Sequence, residues 1–169
     1  KRSPPGAVAA RRGAGAPTQA GAGGRDRMGF TVTARHRFLA SGHPATGTPN
    51  QPTSLGLISS ANGGRAWQDV SLSGEADFHV LRSSGNDVFG YNALSGALMV
   101  SSDGGRSWQQ RPVPGPLIDL AVSPDDPKRL VVSTAQALMA SVDGGRRWRL
   151  LRRGAIGLLA WASMRRLSW

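Results

Sequence analysis

Ser101-Ser102-Asp103-Gly104-Gly105-Arg106-Ser107-Trp108 decides the fold. It has the form Ser-x-Asp-x-Gly-x-x-Trp. Asp-Gly between two apolar runs is a strong hairpin signal, because Gly takes the positive φ that a tight turn needs. The short Asp103 carboxylate can accept hydrogen bonds from backbone N–H groups two or three residues on, and Ser101 can add a hydroxyl bond of the same kind. Trp108 opens the returning strand with a large apolar ring for a core beneath it.

The same form returns twice. Ser141, Asp143, Gly145 and Trp148 repeat it in full. Ser60, Asn62, Gly64 and Trp67 repeat it with Asn for Asp, which keeps the acceptor and loses the charge. Three copies at a period near 40 residues mark a repeat protein whose unit is one four-stranded propeller blade. The expected fold is all-β: a partial β-propeller of about three four-stranded antiparallel blades plus the start of a fourth.

Working outward, the expected strands of the first blade are residues 29–33, 37–41, 55–59 and 67–72, with a proline-bearing loop over 42–54. The second blade takes 77–81, 87–91, 97–100 and 108–113. The third takes 117–122, 129–133, 137–141 and 148–151. Residues 155–161 read as the first strand of a fourth. The blades therefore span 28–73, 74–115 and 116–153, with the next beginning at 154–161 and a basic tail over 162–169. Three blades and a strand cannot close a ring of 4 to 8 blades, so the expected first partner is the rest of a propeller.

Residues 1–27 are low-complexity: 21 of the 27 are Gly, Ala, Pro or Arg. Such a segment buries too little apolar surface to offset its chain entropy, which predicts disorder. The chain starts at Lys1 and reads as a processed or truncated piece. No apolar leader core follows the basic start. The longest apolar run, nine residues over 154–162, falls far short of the roughly 20 needed for a membrane span. There is no cysteine, hence no disulfide frame and no thiolate metal site.

The formal charge of +11 is carried by the flanks. Residues 1–27 are net +5 and residues 146–169 net +7, whereas residues 28–145 are net −1. A nucleic-acid footprint would cluster cations on a folded face and interleave aromatics, so this pattern argues against such a partner.

The three eight-residue boxes resemble the Asp-box of BNR-repeat, sialidase-like β-propellers. Met28-Gly29-Phe30-Thr31-Val32, Ser41-Gly42-His43-Pro44 and Gly74-Glu75-Ala76-Asp77-Phe78-His79 further resemble bacterial exported BNR-repeat proteins labelled glycosyl hydrolase or exo-α-sialidase. The resemblance implies an exported or cell-envelope protein and a glycan or protein ligand. It also implies an alternative: a glycoside hydrolase whose remaining catalytic residues lie in blades outside this chain. Sialidases use an arginine triad, a Tyr–Glu pair and an Asp acid/base. Here the only tyrosine, Tyr91, falls mid-strand and no Arg-Ile-Pro precedes the first box, so that set is absent. No cofactor and no metal site is expected.

Loop parity separates the polar candidates into two groups. In an up-and-down blade the A–B and C–D loops share one end and the D–A and B–C loops share the other. The boxes are C–D loops, so Asn62, Asp103 and Asp143 belong at one end, where turn closure accounts for them. His43, Glu75, Asp77 and His79 belong at the opposite end, and Glu75, Asp77 and His79 share one side of a strand by the period of two. Glu75 and Asp77 are the candidate catalytic carboxylates, with His43, His79 and Asp119 as candidate ligand-binding groups. The bland alternative is a set of satisfied polar groups at a blade junction.

Overall fold

The computed structural model describes residues 8–11, 14–19, 26–45 and 50–161. Every regular element among them is a strand. β1 (Val8–Arg11) and β2 (Ala14–Gln19) form a two-stranded antiparallel pair. Three four-stranded antiparallel sheets follow, each in simple chain order. The first holds β3 (Asp26–Ala34), β4 (Arg37–His43), β5 (Leu57–Ser60) and β6 (Gln68–Ser71). The second holds β7 (Phe78–Ser84), β8 (Asp87–Asn92), β9 (Ala97–Ser101) and β10 (Gln109–Arg111). The third holds β11 (Leu117–Val122), β12 (Leu130–Thr134), β13 (Ala137–Ser141) and β14 (Arg149–Arg153).

Three expectations need correction. The low-complexity segment, expected to be disordered, carries the β1–β2 pair within its described residues. The rest of residues 1–25 and the basic tail at 162–169 lie outside the described residues. Strand β3 begins at Asp26, three residues earlier than expected. Residues 155–161, expected as the first strand of a fourth blade, pair with no strand among the described residues. They do alternate between half-buried and exposed residue by residue. Two bonds dock them on the third sheet: Ser133 Oγ donates to Gly157 O at 2.7 Å and Leu159 N donates to Asp119 Oδ2 at 2.7 Å.

The two larger core clusters lie between sheets, and a third, of Ala40, Leu55 and Ile58 against Trp67, belongs to the first blade alone. Phe78, Leu81 and Val88 of the second sheet pack with Leu39 and Leu57 of the first. Val80, Phe89 and Leu98 pack with Leu117, Leu120, Leu130 and Val132 of the third. Hydrogen bonds cross the same junctions. Phe78 N donates to the buried Ser41 Oγ at 3.0 Å, and Ser71 Oγ donates to Gly105 O at 2.6 Å. Each sheet thus completes the burial of its predecessor, as expected for stacked repeats.

The innermost strands share an irregularity. Register slips by one residue at Arg27/Gly29 in β3, Phe78/Val80 in β7 and Leu117/Asp119 in β11. Met28, His79 and Ile118 are therefore the extra residues of three equivalent bulges, and all three side chains are exposed. A bulge re-aims a side chain and increases local twist.

Candidate functional site

The boxes close their turns with the same bonds in each repeat. Ser101 Oγ donates to Asp103 Oδ1 at 2.7 Å and accepts from Gly105 N at 2.8 Å. Asp103 accepts from Arg106 N and Ser107 N at 2.9 Å each and from the Ser107 hydroxyl at 2.6 Å. Ser141, Asp143 and Gly145 reproduce this network, with Arg146 N and Arg147 N as donors. In the first box Asn62 Oδ1 accepts from the Ser60 hydroxyl and from Ala66 N. The Ser107 hydroxyl and N–H, with Ser101, hold the Asp103 carboxyl well below the usual range; for Asp143 the leading cause is the Arg147 N–H. The carboxylates are thereby committed as acceptors. The tryptophans precede their strands by one residue and are half-buried, with indole N–H groups bonded to Gly64 O, to Gly105 O and Ser71 Oγ, and to Pro112 O respectively.

Each box lies beside an A–B turn: Gly63, Gly104 and Gly144 donate their N–H to His36, Asn86 and Lys128 carbonyls at 3.0 Å. The opposite ends of the strands carry the other group. His43, at the end of β4, bonds Thr53 O through Nδ1 at 2.8 Å and turns Nε2 to Asp77 Oδ2 at 3.3 Å. His79, the bulge residue of β7, places Nε2 2.9 Å from the same oxygen. The Asp77 side chain is 5% exposed, against 44% and 42% for the two imidazoles. Because His43 Nδ1 carries the proton shared with Thr53 O, its Nε2 attracts a carboxylate only when it is protonated as well. Asp77 Oδ1 is buried with no hydrogen-bond partner among the described residues, an arrangement that ordered water commonly relieves.

Two candidates fall outside this cluster. Glu75 is exposed and its carboxylate makes no hydrogen bond or ion pair among the described residues. The period-of-two argument does not reach it, because β7 starts at Phe78 and residues 72–76 form a turn closed by Glu75 N and Ala76 N on Leu72 O. Asp119 lies on the flank of the third sheet, with Oδ1 bonded to Arg82 Nη2 at 2.5 Å and Leu120 N at 2.8 Å and Oδ2 taken by Leu159 N. It is a junction post rather than a free ligand group. Asn92, which the sequence reading passed over, is buried and organises the turn: its Oδ1 accepts from Asp77 N at 3.0 Å and Leu94 N at 3.1 Å.

No family model and no curated protein matches this chain. Solved structures do. YCF48 bound to a D1 peptide superposes with a TM-score of 0.57 at 20% identity, over 75% of this chain and 40% of that one. YCF48 from Cyanidioschyzon merolae gives 0.57 at 16%, over 75% and 37%. The GH74 xyloglucanase from Xanthomonas campestris gives 0.53 at 19%, over 72% and 18%. The chain carries three blades of a β-propeller. It spans less than half the length of these structures, and at such identities the likeness establishes the fold alone.

Proposed function

We propose that these blades belong to an exported, Asp-box (BNR-type) propeller and serve binding rather than catalysis, presenting His43, Asp77 and His79 to a glycan or protein ligand. The repeated Ser–Asp/Asn–Gly–Trp turn network supports the BNR assignment. The observation that carries the binding reading is the state of the carboxylates. Asp103 and Asp143 are consumed by turn closure, and Asp119 by a blade junction. Asp77 is buried between two imidazoles, and Glu75 stands apart from it. A glycosidase needs two carboxyl groups at about 5–5.5 or 6.5–9.5 Å across a reachable cleft. Of the candidate pair, Asp77 is engaged by both imidazoles, and no bond ties Glu75 to that cluster among the described residues. His79 Nδ1, the one ring nitrogen of the cluster not engaged among the described residues, and the half-exposed imidazole faces instead offer a small polar surface to a ligand.

The test is a glycan and peptide binding screen of the full-length gene product beside the His43→Ala and His79→Ala variants, with hydrolysis of aryl glycosides measured in parallel. Ligand capture lost in both variants, with no hydrolysis, is expected. Hydrolysis abolished by Asp77→Asn or Glu75→Gln overturns the reading in favour of the glycosidase. Cell fractionation checks export.

A further inference from the structure

At the opposite, box-bearing end, a cleft opens between each pair of neighbouring blades. The one between the first and second blades encloses about 370 Å³ and the one between the second and third about 290 Å³. They are copies of each other in the repeat. Gln68 and Gln109 occupy the same ladder position after their boxes. Gly104 and Gly144 make the same bond to the adjacent A–B turn. Arg106 and Arg146 stand at the same box position, each reaching in from the later blade.

The charge left in these clefts is one-sided. Arg37 and Arg106 line the first, with no acid. Arg111, Lys128 and Arg146 line the second, with Asp87 the single acid. None of the five cations is ion-paired among the described residues. The box aspartates do not neutralise Arg106 and Arg146. Each guanidinium donates Nη1 to the backbone carbonyl of its box aspartate at 2.9 Å, while the carboxylate is turned to N–H and hydroxyl donors. That bond orients the guanidinium without cancelling its charge, which reduces the side-chain entropy lost on binding.

We propose that this rim binds an acidic polysaccharide, a chain bearing uronic carboxylates or sulfates, laid along the arc so that successive anionic groups enter successive clefts. Arginine forks suit planar carboxylates and sulfates. The amides of Gln68 and Asn86 border the first cleft and both donate and accept, as sugar hydroxyls require, while Asn62 and Gln109, whose oxygens already accept from Ser60, Ala66 and Arg111, leave their NH2 donors. The aromatics there, Phe38 and Phe89, are half-buried and buried in the blade faces. They offer no ring for base stacking, which disfavours single-stranded nucleic acid. This site is independent of the His43–Asp77–His79 end.

The experiment measures binding of the 169-residue chain to polygalacturonate and heparin at two salt concentrations, with neutral dextran, poly-glutamate and single-stranded DNA as competitors. Arg106→Gln with Arg146→Gln lowers affinity by about tenfold or more, and each single change by a few-fold, because linked contacts multiply. The pair Arg37→Gln with Lys128→Gln, which leaves the box bonds intact, lowers it as well and guards against a folding artefact. Arg149→Gln with Arg152→Gln on the outer strand β14 removes the same charge and leaves affinity within about twofold. Loss with the β14 pair equal to that of the cleft pair overturns the proposal in favour of diffuse charge. Absence of binding, or poly-glutamate or DNA competing as well as polygalacturonate, overturns it too.

Discussion

Gly29→Ala tests how tightly the first two blades are stacked. A Cβ at position 29 would stand 2.3 Å from the Phe78 carbonyl oxygen and 3.2 Å from Leu81 Cβ, where ordinary contact begins at 3.4 Å. Gly29 does not occupy a positive φ, so the backbone itself accepts Ala and the cost is steric. The obstructing atom cannot step aside, because Phe78 N is tied to Ser41 Oγ across the junction. Relief requires β3 and β7 to part by about 1 Å, and a gap of 0.5–1 Å forfeits a quarter to a half of each dispersion contact. Overpacking of this kind costs about 1–3 kcal/mol, less the roughly 0.4–1 kcal/mol that Ala gains through the unfolded chain. The expected net loss is about 1 kcal/mol in urea unfolding followed by tryptophan fluorescence. Gly157→Ala is the control: nothing lies within 4 Å of its Cβ, and it should be neutral or slightly stabilising. Equal stability of the two variants would refute the close-approach argument.

Ser101→Ala removes a buried hydroxyl that serves Asp103 and Gly105, and should lower stability by about 1–3 kcal/mol, while exposed Ser102→Ala stays within about 0.5 kcal/mol. The depressed Asp103 and Asp143 carboxyls make stability pH-dependent with a fixed sign. Their contribution is present above the unfolded carboxyl range near 3.9 and is lost as pH falls through the folded values. Acid titration should therefore show destabilisation below about pH 4, and Asp103→Asn should shrink it; an unchanged acid profile in the variant would count against the network. Asp119→Ala severs both Arg82 and Leu159 from the third blade, which should release residues 155–161 to limited proteolysis and speed amide exchange at Leu159.

What was legible in the sequence was local. Each box carries its own acceptors, donors and positive-φ glycines within eight residues, so spacing alone revealed the turn, the repeat and the parity of the loops. The strands over 37–41 and 117–122 were legible as short apolar runs bounded by turn residues. The site was less legible because tertiary geometry assembles it. Asp77 and His79 meet through the bulge at His79 rather than through regular alternation, since β7 begins only at Phe78, and Glu75 lies in the preceding turn. The bulges at Met28, His79 and Ile118 have no shared residue type, since they answer to the curvature of stacked sheets. Asn92 would have been visible only as a buried amide at the end of a strand, a place where polar residues usually signify nothing more than a turn.

The docking of residues 155–161 bears on what a blade accepts as its neighbour. The Ser133 hydroxyl and the Asp119 carboxylate hold an innermost segment against the preceding blade although it has no hairpin partner. Ser41 does the same for Phe78 at the previous junction. Each blade thus presents polar anchors to the innermost segment of the blade that follows it, so the flank a blade shows its successor is polar and specific as well as apolar, which restricts edge pairing to a segment that can meet those anchors.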